Sequence, residues 1–266
     1  MRVDTTDDRI LGETEGAIGW VTINNPARRN AMSLEMWEAM ADLIDRFAKD
    51  DAIRVVVMKG AGDKAFMSGA DISQFEKVRH DANSAAHYKA VSEGARSRLA
   101  HLEKPLIAMI RGFCLGGGLG VALTADFRVA STDSQFGIPA AKMNIVYAFE
   151  GVKTLTALVG PGMAKQILFT AKRYTAEEAH KMGLIEDVTT PEALEATVRA
   201  YATTIAENAP MSIRATKLTV RQIFTDETER DLEALVRLGQ QASDSADFAE
   251  GRRAFMEKRK PVFKGR

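Results

Sequence analysis

Three consecutive glycines, Gly116 to Gly118, are the residues of this chain whose type and spacing most directly suggest chemistry. They follow a short apolar run at 106–110, typical of a buried strand, and precede a small-residue stretch at 119–125, typical of a helix. A strand that enters a helix through glycines presents unpaired backbone N–H groups, and a ligand can approach them because no Cβ stands in the way. The pattern predicts a site for an anion, or for an oxygen that becomes anionic during a reaction.

The familiar phosphate-binding patterns do not fit this turn. In a G-x-G-x-x-G reading from Gly116 or Gly118, the third glycine position holds Val121 or Leu123, and no Gly-Lys-Ser/Thr follows. The alternative to a site is a glycine-rich turn that serves packing alone. A second short apolar stretch, residues 65–72 (AFMSGADI), presents backbone amides in the same way around Gly69.

A β/α body must position these two turns. Alternation and β-branched runs predict strands at 17–24, 53–59, 106–110, 126–130, 134–137 and 184–188. Ser33 is predicted to cap a helix at 34–49, and Thr175 one at 176–182. Two further helix patterns cover 151–159 and 161–170, residues 73–100 indicate a surface helix or flap, and only helical patterns follow residue 191.

Composition narrows the class of protein. The 266 residues are 45% hydrophobic and carry 36 basic and 36 acidic side chains, so no global field favours nucleic acid or an anionic membrane. Cys114 is the single cysteine, which excludes an intrachain disulfide and a cysteine-cluster metal site and predicts a buried apolar role. No apolar run has the roughly 18 residues of a membrane span, and the N-terminus lacks a targeting pattern. We expect a cytoplasmic protein.

Five patterns occur in order along nearly the whole chain. They are Asn25-Pro26 with Asn30-Ala31-Met32, Ala65-Phe66 with Gly69-Ala70-Asp71-Ile72, Lys104-Pro105 with Gly112 and Gly116-Gly117-Gly118, Thr124-Ala125-Asp126-Phe127-Arg128 with Ala130, and Phe255 with Glu257-Lys258-Arg259-Lys260-Pro261 and Phe263. Each pattern alone is weak, but in combination they resemble the crotonase superfamily, which contains enoyl-CoA hydratases and isomerases.

The resemblance implies an α/β fold, a spiral of ββα units over residues 1–190, followed by an all-helical trimerisation region at 191–266. It implies an acyl-CoA substrate, a homotrimer or dimer of trimers, and no cofactor other than the CoA of the substrate. It also implies that the thioester carbonyl is held by the backbone N–H groups of Ala70 and Gly117. Asp71 and Ile72 would line the CoA site beside Ala70, with Asp71 acting as a helix cap or turn former rather than as a base.

The sequence departs from the superfamily at the positions of the two hydratase glutamates. One glutamate is expected two residues beyond the glycine triplet, where this chain has Gly120. The other follows the proline of a Phe-Gly-x-Pro segment, where this chain has Ala140. A two-glutamate hydration mechanism is therefore not expected.

Isomerase branches of the superfamily carry an acid on the turn before the next helix, and Glu150 lies close to that position. It is the only acidic residue between Asp133 and Glu177, in an otherwise apolar loop, so burial is expected to raise its pKa and suit it to proton transfer. The alternative is that Glu150 interacts with the N-terminus of a helix starting at Gly151. Tyr147 is a second candidate acid or orienting group.

Three residues are candidate contacts for CoA, with solvated surface as the alternative reading. Arg28 and Lys264 could meet phosphates, and Phe263 could stack on adenine. No metal-ligand pattern is present in the sequence. Three functions stay open: an isomerase or hydratase-like enzyme that uses Glu150, an acyl-CoA decarboxylase that needs little acid/base help, and a CoA-binding homologue without catalysis.

Overall fold

The computed structural model describes residues 1–71 and 82–266, which form two β-sheets surrounded by helices. The strands are β1 (Arg2–Val3), β2 (Ile10–Glu15), β3 (Ile18–Ile23), β4 (Val55–Gly60), β5 (Ala65–Met67), β6 (Leu106–Ile110), β7 (Phe113–Leu115), β8 (Phe127–Ser131), β9 (Gln135–Gly137), β10 (Tyr174–Thr175) and β11 (Asp187–Thr189). The larger sheet has seven strands in the order β1-β2-β3-β4-β6-β8-β11, and the smaller has four in the order β10-β9-β7-β5.

The helices surround the sheets and then continue alone to the C-terminus. They are α1 (Leu34–Lys49), α2 (Ala82–His101), α3 (Gly117–Ala122), α4 (Phe149–Thr170), α5 (Ala176–Lys181), α6 (Leu194–Glu207), α7 (Pro210–Ile223), α8 (Leu232–Ser243) and α9 (Ala246–Glu257). Short 3₁₀ turns lie at Pro26–Arg28, Pro139–Met143 and Glu227–Glu229.

Strands β3, β4, β6, β8 and β11 run parallel, and the central ones are apolar on both faces. β4 begins with three buried valines, and all of β6 is buried, as expected for parallel strands covered on both sides. One face packs on α1 through residues such as Met40 and Phe47. The other packs on α6 through Leu194 and Val198, so both faces exclude water.

Local signals in the sequence predicted several helix starts correctly. The Ser33 side chain accepts a hydrogen bond from the Met36 N–H, which starts α1. Thr175 and Glu178 form a capping box at the start of α5. The two helical patterns at 151–159 and 161–170 correspond to the two halves of α4, which meet at a kink where Gly160 has a non-helical conformation (φ 76°, ψ 162°).

Three of the four strands of the small sheet follow directly after a strand of the large one. β5 follows β4, β7 follows β6 and β9 follows β8, and these three short strands are parallel neighbours. The carboxyl ends of parallel strands meet at one edge of a sheet. The turn at Gly69, the glycine triplet and the segment leading to Ala140 therefore come together at this edge.

Some sequence predictions differ from the structure. β1, β5, β7 and β10 were not predicted as strands, because two- and three-residue strands carry little periodicity. The six-residue strand β2, which lies between β1 and β3, was also missed. The strand predicted at 184–188 lies at Asp187–Thr189. In α2, Tyr88, Ala95 and Leu99 are buried, so the surface assignment was wrong for that face, while residues 72–81 of the predicted flap lie outside the described part.

The strands end at Thr189, and the chain is helical from α6 onwards. α6 nevertheless packs on the large sheet, and Lys217 of α7 contacts Asp126 at the start of β8, with its Nζ 2.8 Å from the carboxylate. The division at residue 190 thus marks a change of secondary structure, and its use as a domain boundary stays a prediction. Within residues 1–71 and 82–266, no helix combines the length and apolar character that a membrane span requires.

Candidate active site

The glycine triplet packs directly against the turn at Gly69. A Cβ on Gly118 would lie only 1.9 Å from the Met67 carbonyl oxygen, so helix α3 can approach strand β5 only because residue 118 has no side chain. A Cβ on Gly117 would lie 3.3 Å from Gly69 Cα and 3.8 Å from the Ala70 nitrogen. The two turns found separately in the sequence are therefore in contact.

The amide N–H groups of Ala70 and Gly117 are available at this contact. Met32 pairs with the Gly69 carbonyl at 2.9 Å and with the Asp71 N–H at 2.9 Å, which turns the Ala70 N–H to the opposite side of the chain. Gly117 is the first residue of α3, where an N–H has no intrahelical acceptor. Among the hydrogen bonds within residues 1–71 and 82–266, neither amide is a donor.

A buried asparagine supports the first turn. Asn30 is fully buried in a left-handed conformation (φ 56°), and its Nδ2 donates to the carbonyls of Ala61 and Ala65. Its Oδ1 accepts the Asn25 N–H at 3.0 Å. These bonds fix the loop that carries Met32, and Met32 in turn fixes the peptide that precedes Ala70. The Asn-Pro…Asn-Ala-Met pattern of the sequence is thus a support for the amide turn.

Tyr147 occupies the space beside Gly120, the position at which the family resemblance predicts a hydratase glutamate. A Cβ on Gly120 would lie 2.7 Å from the Tyr147 hydroxyl, and one on Gly151 would lie 2.8 Å from the ring. The hydroxyl donates to the Gly116 carbonyl at 3.2 Å. Burial raises the pKa of Tyr147 to about 12, so its hydroxyl is protonated at neutral pH. The second glutamate position, Ala140, is buried and has no ionisable group.

Glu150 does not have the surroundings that the sequence predicted. It is exposed in the first turn of α4, next to Phe149, which is 75% exposed. The expectation that Glu150 is buried within the chain was wrong, because the loop before α4 is exposed except at Tyr147. The predicted helix interaction also differs, since α4 starts at Phe149 with Ala148 at the cap and no side-chain cap bond, although Glu150 still lies in the favourable first turn.

The predicted CoA contacts lie in different parts of the molecule. Arg28 is exposed at the end of the Pro26–Arg28 turn, near the Ser68 hydroxyl, which is 3.4 Å from the Arg28 carbonyl. Asp71 is buried and donates its N–H to Met32, and Ile72 lies outside the described residues.

Phe263 and Lys264 lie far from the amides of their own chain. The Phe263 carbonyl accepts a hydrogen bond from Arg54, at the amino end of β4, and the Lys264 N–H donates to Asp247 of α9. The amide pair lies beyond the carboxyl ends of the parallel strands, and β4 alone spans ~20 Å at ~3.3 Å per residue. These two residues are thus separated from the amide pair by the length of the sheet.

A cleft near Arg28 is lined by two basic side chains that the sequence did not identify as site candidates. Its volume is about 280 Å³, and it lies between the Pro26–Arg28 turn and the loop after β4. Arg29 and Lys64 line it, and both are exposed. Arg29 also lies 5.4 Å from the centre of the Phe113 ring. The only sequence signal was the clustering of basic residues around two turns that the fold brings together.

Asp126, Arg128 and Cys114 have structural surroundings. Asp126 accepts the Leu106 N–H at 2.7 Å, which joins the starts of β6 and β8. Arg128 is 1% exposed, pairs with Glu186 and donates to the carbonyl of Ala125, in the turn after α3. Cys114 is fully buried, and burial raises the pKa of its thiol. Within the described residues, no group of three His, Cys, Asp or Glu side chains is placed to hold a metal ion.

Comparisons with known proteins agree with this fold. The profile described as "Enoyl-CoA hydratase/isomerase" matches residues 13–266. A short-chain-enoyl-CoA hydratase from Clostridium acetobutylicum is 33% identical, with 95% of this chain and 96% of the relative covered. An (E)-benzylidenesuccinyl-CoA hydratase from Thauera aromatica is 34% identical, with 95% and 98% covered. A solved enoyl-CoA hydratase/carnithine racemase from Magnetospirillum magneticum superposes with a TM-score of 0.92 at 36% identity, with 98% of this chain and 97% of the other covered.

The two-sheet fold and these relatives define an enzyme that acts on CoA thioesters. The chain belongs to the enoyl-CoA hydratase/isomerase family, which confirms the resemblance found in the sequence.

Proposed function

We propose that this enzyme stabilises the enolate of an acyl-CoA thioester between the amide N–H groups of Ala70 and Gly117. The observation that carries the proposal is the contact of two turns from separate strands, each with an amide that has no acceptor among the described residues. An enolate concentrates negative charge on the thioester oxygen, and a fixed donor aimed at such an oxygen contributes roughly 3–4 kcal/mol. Both donors are backbone groups, so no side chain of this chain needs to be charged for that role.

We propose Glu150 as the group that moves the proton, in a double-bond isomerisation or a hydratase-like reaction. Gly120 and Ala140 leave both hydratase positions without a carboxylate, and Glu150 is the acidic residue of the loop that follows Tyr147. Glu150 is exposed in the single chain, so an acyl group or a neighbouring copy would have to cover it to exclude water from the proton transfer. The hydratase names of the relatives are compatible with proton transfer of this kind.

For the rest of the substrate we propose that Arg28, Asp71 and Ile72 contact CoA near the amide pair. Arg29 and Lys64 in the adjoining cleft add positive charge suited to phosphates, which Asp63 in the same cleft offsets in part. The enzyme would need no cofactor beyond the CoA of its substrate.

We propose that the helical region at 191–266 assembles the chain into a trimer or a dimer of trimers. Phe263 and Lys264 could then reach CoA only in another copy, because they lie at the amino end of the sheet in their own chain. A monomer in solution would remove them from the CoA site.

A decarboxylase is the second candidate function. Loss of CO₂ itself generates the enolate, so the reaction needs the amide pair but little acid/base help. The observation in its favour is that Tyr147, which is protonated at neutral pH, fills the glutamate position beside Gly120. A CoA-binding protein without catalysis is the remaining alternative, and it predicts acyl-CoA binding without turnover of any thioester.

A screen of CoA thioesters tests these proposals directly. 2-Enoyl, 3-enoyl and malonyl-type thioesters are each incubated with the enzyme, and the products are identified by mass and by chromatographic separation of double-bond isomers. Isomerised or hydrated products support the Glu150 reaction, CO₂ release from malonyl-type esters supports decarboxylation, and calorimetric binding without any product supports the binding protein.

The role of Glu150 is tested by the Glu150→Gln variant. We expect turnover to fall about 100-fold or more with unchanged folding, because the amide keeps the shape but cannot carry the proton. Glu177→Gln is the matched control, since Glu177 is also an exposed glutamate in the first turn of a helix. Equal activity of the two variants would exclude Glu150 as the acid/base.

A further inference from the structure

The Gly117 N–H belongs to a peptide unit that a side chain also holds. In a planar trans peptide the N–H of Gly117 and the carbonyl of Gly116 point in opposite directions, so fixing one fixes the other. Gly116 has φ 54° and ψ −119°, a conformation that favours glycine, and it has no side chain to restrain the turn. What holds the Gly116 carbonyl therefore decides where the Gly117 N–H points.

Two donors share the Gly116 carbonyl oxygen. The Gly120 N–H donates to it at 3.1 Å within α3, and the Tyr147 hydroxyl donates to it at 3.2 Å. A carbonyl oxygen has two lone pairs, and these two bonds use both. Tyr147 arrives from the loop before α4, so it ties that loop to the peptide unit that carries the Gly117 N–H.

The packing of the Tyr147 ring keeps its hydroxyl within hydrogen-bond distance of the Gly116 carbonyl. It lies between Gly120 and Gly151, and a Cβ at either position would come within 3 Å of it. Burial raises the pKa of Tyr147 to about 12. Because the neutral phenol is the form that donates, the bond is present at neutral pH and would be lost only as the pH rises towards that value.

A hydrogen bond to a peptide carbonyl acts on the N–H at the other end of the same unit. It polarises the peptide and strengthens the N–H as a donor by roughly 10–30%. It also restricts rotation of the peptide plane, and an oxyanion donor must stay about 2.7–3.1 Å from the oxygen it stabilises. On the other side of the site, the peptide before Ala70 has its Gly69 carbonyl held by the Met32 N–H instead.

We propose that Tyr147 is a positioning residue that orients and polarises the Gly116–Gly117 peptide for the thioester oxygen. This inference rests on the proposed role of the Gly117 N–H, and it gives Tyr147 a function other than proton transfer. This role also explains why glycines stand at 120 and 151. Without side chains there, the phenol has room at the place that the family resemblance assigns to a carboxylate.

The test combines turnover with infrared spectra of bound butyryl-CoA and octanoyl-CoA that carry ¹³C at the thioester carbonyl. In the wild type the carbonyl band is expected to shift to lower frequency on binding. Tyr147→Phe keeps the ring and removes the hydroxyl, so the band should return part of the way towards that of free thioester. We expect kcat to fall about tenfold, less than for loss of a whole oxyanion donor, with KM changed less than twofold.

Two further variants separate positioning from a general effect on the fold. Gly120→Ala places a methyl group against the Tyr147 hydroxyl and should move the band and kcat in the same direction without removing the phenol. Tyr201→Phe is the matched control, because Tyr201 is a surface tyrosine whose hydroxyl donates to Asp187 at 3.1 Å. It should leave the band and turnover unchanged.

The outcomes that oppose the inference are distinct. If neither thioester shows a shifted band on the wild-type enzyme, the two-amide site and the role of Tyr147 are both overturned. If the wild type shifts the band and Tyr147→Phe shifts it equally, only the role of Tyr147 is overturned. Loss of proton exchange into the substrate in Tyr147→Phe, with an unchanged band, would make Tyr147 a proton donor and overturn positioning.

Discussion

Replacing Gly118 by alanine tests whether close packing of α3 on β5 positions the Gly117 amide. Gly118 lies where α3 contacts β5. An alanine Cβ at this position would lie 1.9 Å from the Met67 carbonyl oxygen and 2.6 Å from the Met67 carbonyl carbon. Both neighbours are backbone atoms in buried segments, so no flexible side chain can move aside. Either the helix or the strand has to shift.

The size of the effect follows from these distances. An ordinary contact is about 3.4 Å, so the two backbones must separate by about 1.5 Å. Overpacking of this kind costs about 1–3 kcal/mol of unfolding free energy. A displacement of about 1 Å in a reacting geometry costs about 100-fold in rate, and Gly117 is adjacent in sequence to the residue that moves. We expect Gly118→Ala to lose both stability and about 100-fold in kcat.

The assay compares urea unfolding and turnover of the thioester identified by the screen. Gly239→Ala is the control, because Gly239 is also helical but has nothing within 4 Å of an added Cβ. That control should gain about 0.5–1 kcal/mol from helix propensity alone and keep full activity. If Gly118→Ala behaved like Gly239→Ala in both measurements, the argument that packing positions the amide would be refuted.

Two further predictions concern the supports around the site. Arg128→Met should cost about 3 kcal/mol in urea unfolding, because it removes a buried guanidinium that pairs with Glu186 and donates to Leu184 and Ala125; a cost below about 1 kcal/mol would contradict this. Arg259, Arg253 and the Val262 N–H hold the pKa of Glu250 well below its usual range. The ionised Glu250 carboxylate therefore stabilises the folded chain. Because its pKa is lower in the folded than in the unfolded chain, the stabilisation is complete above the unfolded pKa of about 4.3 and is lost as the pH falls through the folded pKa. Glu250 accepts hydrogen bonds from Arg259 and from the Val262 N–H, so amide hydrogen exchange at 258–266 should become faster below about pH 4, measured relative to an unfolded peptide at the same pH. The Glu250→Gln variant should lack this pH dependence. If both proteins show the same dependence, groups other than Glu250 cause it.

Much of the framework was determined by the sequence, because it depends on neighbours along the chain. The Leu106–Ile110 strand was predicted with its observed ends, and the Ser33 and Thr175 caps are bonds between residues three positions apart. The two glycine turns, and the absence of carboxylates at Gly120 and Ala140, were also visible without a fold. Periodicity and caps are local physics, and the family patterns record residue identity directly.

Only the tertiary structure decided what surrounds those residues. It placed the Tyr147 phenol beside Gly120 and on the Gly116 carbonyl, which gave the missing glutamate position an occupant that the sequence did not reveal. It also exposed Glu150, for which an apolar sequence context had predicted burial. Burial and hydrogen bonding depend on how distant segments pack, and a loop of apolar residues can lie on the surface when distant segments pack elsewhere. The sequence identified Tyr147 and Glu150 as candidates, but the fold decided the hydrogen bond of one and the solvent exposure of the other.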